Sequence, residues 1–170
     1  TGASVDAALR QIEQVRQKAD WVELRFDVIV KSEAKQRSSL LGATSLPKIL
    51  TFRRLQDGGN YLASEAKRRE EMLQWARAIA GRTDVYMDLE EDLDEPFFCA
   101  MQALLEGGKY TILSHHNREK IPSCSDLDML LERMLQKKAA FYKIAVHSQS
   151  CTDTLRFLDW AKQRVKAGVT

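Results

Sequence analysis

Ala139-Ala140-Phe141-Tyr142-Lys143-Ile144-Ala145-Val146 is a short apolar run with a single lysine inside it. Its length and its Phe, Tyr, Ile and Val content suit a β-strand. Four comparable runs precede it, at residues 21–26, 48–52, 85–89 and 110–113, and they too lead into charged or polar residues. Between the runs lie amphipathic stretches long enough for helices, at residues 5–18, 32–41, 63–80, 96–106, 125–138 and 152–166. Strand and helix in alternation are the pattern of parallel βα units, because a parallel neighbour needs a long crossover that is usually helical. The spacing predicts an α/β fold in which several strand ends build one polar face.

Composition narrows the partner. The 170 residues suffice for a substantial core, and an apolar share of 44% is ordinary for a globular chain. With 26 basic against 24 acidic residues and a formal net charge of +2, the chain has no broad surface for nucleic acid or an anionic membrane. A small molecule is the expected partner. No apolar run nears the roughly 20 residues of a membrane span, and Thr1-Gly2-Ala3-Ser4 lacks a basic-then-apolar leader. Cys99, Cys124 and Cys151 are scattered without metal-ligand spacing. Reduced thiols and a cytoplasmic location are therefore expected. No linker, repeat or low-complexity tract divides residues 1–170, which read as one domain.

Strand alternation decides which side chains share a face. In Val22-Glu23-Leu24-Arg25-Phe26-Asp27 the three charged residues fall together, either as a structural ion pair at a strand end or as the lining of a polar cavity. Arg53 follows Ile49-Leu50-Thr51-Phe52, and a guanidinium at a strand end can grip a carboxylate; Asp57-Gly58-Gly59 forms the loop beyond. Asp88 and Glu90 share a face, with ion pairing or a helix start as the plainer role. Ser114 and His116 share a face that turns His115 away, so the tandem histidines diverge, and no third ligand completes a metal site. Lys143, Ala145 and His147 also share a face. A lysine in so apolar a strand is either a snorkelling edge residue or an amine whose burial disfavours the charged form. A neutral amine can attack a ketone to form a Schiff base, and His116, one strand earlier, is placed to remove the acidified α-proton.

Taken together, Val22-Glu23-Leu24-Arg25-Phe26-Asp27, Leu50-Thr51-Phe52-Arg53 with Asp57-Gly58-Gly59, Met87-Asp88-Leu89-Glu90, Ser114-His115-His116-Asn117 and Tyr142-Lys143-Ile144-Ala145 resemble type I 3-dehydroquinate dehydratase in order and context. The resemblance implies a (β/α)8 TIM barrel of the shikimate pathway with neither metal nor organic cofactor. It implies that Lys143 forms an imine with the C3 ketone of 3-dehydroquinate and that His116 removes the C2 proton and protonates the departing C1 hydroxyl, a syn elimination of water giving 3-dehydroshikimate. Glu23, Arg25 and Arg53 match substrate-binding positions, and Asp57, Asp88 and Glu90 match supporting acids. Two positions depart from the family pattern. Asp57 stands where a glutamate commonly orients the catalytic histidine, and Arg118 follows Asn117 where the family often has phenylalanine.

Five strands cannot close an eight-stranded barrel. The chain reads either as a small open sheet or, with the resemblance, as a barrel whose first strand and last two βα units are missing, a fragment expected to be weakly active alone. The resemblance leaves room for a homodimer and for a fused shikimate dehydrogenase domain, although no Gly-x-Gly-x-x-Gly marks a nicotinamide site within these residues. Another Schiff-base lyase or aldolase on the same barrel, and a non-catalytic scaffold, are the competing readings. The loop at residues 117–125, with Ile121-Pro122, reads as a surface connection or a lid beside His116.

Overall fold

The structure, a computed structural model, describes residues 2–29 and 34–168. Two compact units follow one another along the chain, Thr1–Asp88 and Leu89–Thr170.

The first unit carries helix α1 (Val5–Val15), strand β1 (Val22–Arg25), helix α2 (Ala34–Ser39), strand β2 (Lys48–Thr51), helix α3 (Glu65–Ala78) and most of strand β3 (Val85–Glu90). Strands β1, β2 and β3 pair in parallel in that order, with Val22 beside Lys48 and Lys48 beside Val85. Residues in step on parallel strands point to the same side. Leu24, Leu50 and Met87 therefore share a buried face with Met72, Trp75 and Ala76 of α3. Phe26 packs edge-on against Phe52 and Trp75, with ring centroids 5.4 and 4.7 Å apart. Arg68 of α3 is buried, donates to the carbonyl of Phe52 at 3.0 Å and is held by Glu65, which fixes the backbone just before Arg53.

The second unit takes in the last two residues of β3, then helix α4 (Glu95–Leu104), strand β4 (Thr111–Asn117), helix α5 (Cys124–Leu135), strand β5 (Phe141–Val146) and helix α6 (Cys151–Lys166). Strands β4 and β5 are parallel and in register from Ile112 beside Phe141 to Asn117 beside Val146. Ile121, Leu127, Leu131 and Trp160 form a core against which Ile144 and Val146 pack, so the even-numbered side of β5 faces helices α5 and α6.

Five helix starts follow local chemistry. Ser4, Ser64, Asp94, Ser123 and Ser150 each accept a hydrogen bond from a backbone N–H three residues on, a cap worth about 1 kcal/mol. Boundaries differ from the sequence reading where pairing overrides composition. Strand β4 runs four residues past Leu113, because its ladder with β5 carries Ser-His-His-Asn along although the side chains are polar. Helix α1 stops at Val15, where the N–H groups of Lys18 and Ala19 both turn back to the Val15 carbonyl. Helix α2 is short and gives way to a 3₁₀ turn at Leu40–Gly42, while residues 32 and 33 of the expected helix lie outside the described residues. Cys99, Cys124 and Cys151 are exposed and form no disulfide, and among the described residues no helix is long and apolar enough to cross a membrane.

At the start of β2, Lys48 is 1% exposed and its ammonium donates to the Leu46 carbonyl at 2.9 Å and to Asp84 at 2.8 Å. Hydrogen bonds from Arg82, and then from Lys48, draw the Asp84 carboxyl down to about 2 against the opposing effect of burial. A carboxyl depressed in the folded state stabilises above its unfolded pKa and loses that contribution as pH falls through the folded value. Asp84→Asn should therefore cost about 1–3 kcal/mol near neutrality. In urea titrations, the gap between the two proteins should stay constant down to about pH 4 and close towards about pH 2. A gap independent of pH would refute the pairing.

Candidate active site

In the first unit the face opposite the helices is charged. Register sets Arg25 beside Thr51 and Thr51 beside Asp88, with Glu23 one step earlier on the same side as Arg25. The Thr51 hydroxyl donates to Glu23 at 2.7 Å, so a β2 residue whose role the sequence reading left unassigned holds the β1 carboxylate. Arg25 donates from Nε and Nη2 to the two oxygens of Asp27 at 2.8 and 2.6 Å. Asp27 is 1% exposed and also accepts from the backbone N–H of Asn60 at 2.9 Å. That grip raises the Arg25 pKa above its usual value, the bond to Asp27 outweighing partial burial. Of the two sequence alternatives for Glu23, Arg25 and Asp27, the ion pair is present, and Arg25 keeps part of its side chain in solvent.

Arg53 donates to Asp88 at 2.6 Å, and both are buried. Coulomb attraction and the hydrogen bond offset the desolvation of the two charges only because they are taken out of water together. The guanidinium expected to grip a ligand carboxylate is thus anchored by Asp88. Asp57 lies in the 3₁₀ turn Leu55–Asp57 and accepts from Arg54 Nε at 2.6 Å. Its carboxylate is committed to that arginine. The turn closes on Gly58 in the left-handed region at φ 81°, and a Cβ on Gly59 would stand 2.0 Å from the Arg53 carbonyl, so the pair of glycines lets the loop fold back on the end of β2.

In the second unit Glu90 is buried, and the N–H of Glu91 donates to the Ser114 carbonyl at 2.9 Å. In a parallel ladder that bond sets Glu90 beside Ser114. Ser114 is in turn beside Lys143, and His116 is beside Ala145. One face therefore carries Glu90, Ser114 and Lys143 across three strands, with His116 one step further along. Lys143 is half-buried and not fully enclosed, since β4 is the one strand it pairs with among the described residues. His115 points the other way, as alternation required. Its Nδ1 lies 3.2 Å from a Glu91 oxygen, and that bond, ahead of the opposing burial, lowers the Glu91 pKa.

His116, Asn117, Arg118, Ala145, Val146 and His147 line an open cleft of about 340 Å³ at the end of β4 and β5. Among the described residues no group of three or more His, Cys, Asp or Glu side chains is arranged to hold a metal ion. Arg118 and His147 were not among the site residues expected from sequence. The period-2 pattern did put His147 in line with Lys143, but nothing in it showed that a cleft opens there. What the second unit brings together is a strand lysine, a histidine on the neighbouring strand and a buried carboxylate on the next, a set suited to imine formation with proton transfer.

Comparison with known proteins identifies the family. The profile of the family described as Type I 3-dehydroquinase matches residues 1–168. A 3-dehydroquinate dehydratase of Methanococcoides burtonii is 30% identical over 145 residues, covering 83% of this chain and 60% of that protein. A bifunctional 3-dehydroquinate dehydratase/shikimate dehydrogenase of Arabidopsis thaliana is 30% identical over 139 residues, 81% of this chain and 22% of that one. Among solved structures, the 3-dehydroquinate dehydratase of Geobacillus kaustophilus superposes with a TM-score of 0.81 at 22% identity, over 95% of this chain and 65% of its own. The chain thus spans about 60% of the length of the Methanococcoides relative, as a run of parallel βα units of the barrel fold. On the profile match through almost all its residues, this chain belongs to the type I 3-dehydroquinase family.

Proposed function

We propose that the protein containing this chain is a 3-dehydroquinate dehydratase, a hydro-lyase of the shikimate pathway. The observation that carries the reading is the placement of Lys143 and His116 on one face of adjacent strands, Lys143 two residues from the Ala145 that pairs with His116. In this mechanism the Lys143 amine adds to the C3 ketone and water leaves, giving an iminium. His116 takes a proton from C2, and the electron pair forms an enamine. The enamine expels the C1 hydroxyl, to which His116 returns the proton, so a second water departs. Hydrolysis of the conjugated imine consumes one water and frees the lysine. The net change is loss of one water from the substrate.

The remaining residues support that chemistry within their own units. Glu90 beside Ser114 places a buried carboxyl group on the imine face, where a positive centre develops. Glu23, Arg25 and Arg53 serve as the substrate-binding groups, with Thr51, Asp27 and Asp88 holding them in place. Asp57 acts through Arg54, shaping the loop after β2. The same reading takes residues 1–170 as part of one barrel domain that needs no cofactor. It also includes a cytoplasmic location, supported by three exposed unpaired thiols. A homodimer and a fused shikimate dehydrogenase belong to it as well, the latter supported by the domain pairing named for the Arabidopsis relative.

Incubation with 3-dehydroquinate and borohydride should leave a reduced adduct that peptide mass spectrometry places on Lys143 and that Lys143→Ala abolishes. An adduct on a different lysine would overturn the reading. In the parent protein, His116→Ala should lower the dehydration rate by about 10²–10⁴-fold while still permitting the adduct. His115→Ala, which removes the partner of Glu91 on the helix side, should leave the rate within about threefold and act on stability instead, costing about 1 kcal/mol. Equal rate losses from the two histidine variants would sink the assignment of His116.

A further inference from the structure

Ser114 is the middle member of the row that runs from Glu90 on β3 to Lys143 on β5. Register sets it directly beside Lys143, and the bond from Glu91 N–H to its carbonyl sets it beside Glu90. Neighbours in step on parallel strands stand about 5 Å apart and point to the same side, so the hydroxyl lies within reach of a lysine that leans towards β4. Ser114 is 0% exposed, and its hydroxyl must therefore meet its hydrogen bonds inside the protein.

A hydroxyl has one proton to give and two positions that accept. The Ser114 hydroxyl donates to the Leu89 carbonyl at 3.4 Å, which commits that proton to the backbone of β3. Towards the row, the oxygen is left to accept. The neighbour there that can only donate is the Lys143 nitrogen, with three N–H bonds as an ammonium and one as an iminium. His116 stands two residues further along the same strand, about 7 Å away. One strand thus carries both the imidazole of the cleft and a hydroxyl oxygen turned to the lysine.

We propose that Ser114 is the positioning residue of the imine: its oxygen accepts the N–H of the Lys143 iminium and fixes the plane of the C=N bond relative to His116. For the ketone that Lys143 meets, this rests on the proposed function. There the amine, the ketone and one proton give the iminium and one water, and the nitrogen keeps a single N–H. The C2–H bond is acidified only while it stands perpendicular to the C=N plane, where its electron pair can pass into the π system. A tilted plane slows removal of that proton without preventing the imine from forming. Ser114 acts through Lys143 and carries no proton to or from the substrate.

The ketone 3-oxocyclohexane-1-carboxylate isolates this step, because it can form the imine but has no hydroxyl to expel. With the full protein it should give an iminium whose C=N stretch, read by Raman difference spectroscopy, falls on transfer to D2O. In Ser114→Ala that fall should shrink, since a weaker hydrogen bond lowers the coupling of the N–H bend to the stretch, and Ser114→Thr, which keeps the hydroxyl, should restore it. On 3-dehydroquinate, Ser114→Ala should lower kcat by about 10–100-fold with KM within about threefold. The borohydride adduct on Lys143 should be undiminished, and the threonine variant should recover most of the rate. Ser114→Cys, close in size and a weak acceptor, gives the same reading where the alanine variant does not fold. An unchanged isotope shift, or equal losses of rate and of adduct, overturns the role of Ser114 and leaves the dehydratase reading standing. Absence of an iminium on Lys143 with both ketones overturns that reading, and the role of Ser114 with it.

Discussion

Parallel strands in step impose the constraint from which the rest follows. When Leu24, Leu50 and Met87 lie side by side, all three must turn to the same side, and the aromatic core under α3 decides which side that is. Every residue of opposite parity is then committed to the other face. In the second unit the same rule works through Ile144 and Val146, which pack on the cluster around Trp160 and so turn Lys143 away from the helices. The charged rows are a consequence of the apolar ones. Burial of one face is the larger contribution to stability, and the side chains with chemistry occupy positions that burial leaves over.

Those positions still have to be made tolerable, and the structure does so by pairing. Arg53 with Asp88 and Arg25 with Asp27 take charge out of water two at a time, and Thr51 satisfies Glu23 with a neutral donor. Pairs of this kind add little net stability against an apolar replacement, yet losing one partner strands the other. They fix direction. A guanidinium held by two of its nitrogens, as Arg25 is by Asp27, has its plane set before any ligand arrives.

Much of this was legible in the amino-acid sequence because period-2 alternation is a local property. The shared faces of Glu23 with Arg25, of Ser114 with His116 and of Lys143 with His147 could be read from spacing alone, and the registers agree. What could not be read depends on partners far apart in the chain. Asp88 is 35 residues from the arginine it anchors, and Thr51 is 28 from Glu23. Local composition also misplaced the end of β4, since a polar Ser-His-His-Asn carries no apolar signal although its backbone bonds continue to Asn117. The fold of the loop after β2, with Asp57 turned to Arg54, depends on a left-handed glycine and a close backbone approach that the Gly-Gly pair permits without specifying.

The tandem histidines make β4 sensitive to chain length in an unusual way. A strand that gains or loses one residue upstream, while keeping its ladder, presents its side chains with the faces exchanged. For most sequences such a slip would put an apolar residue where a polar one belonged and be rejected by the core. Here a one-residue gain would bring His115 to the cleft in place of His116 and leave Glu91 facing Ser114, whereas a one-residue loss would bring Asn117 to the cleft and His116 to Glu91. Single-residue changes upstream in β4 therefore act unequally, an insertion keeping a histidine at the cleft and a deletion removing it. They are policed by the flanking apolar residues, Ile112 and Leu113 on one side and Ile121 on the other, whose burial fixes which histidine is which.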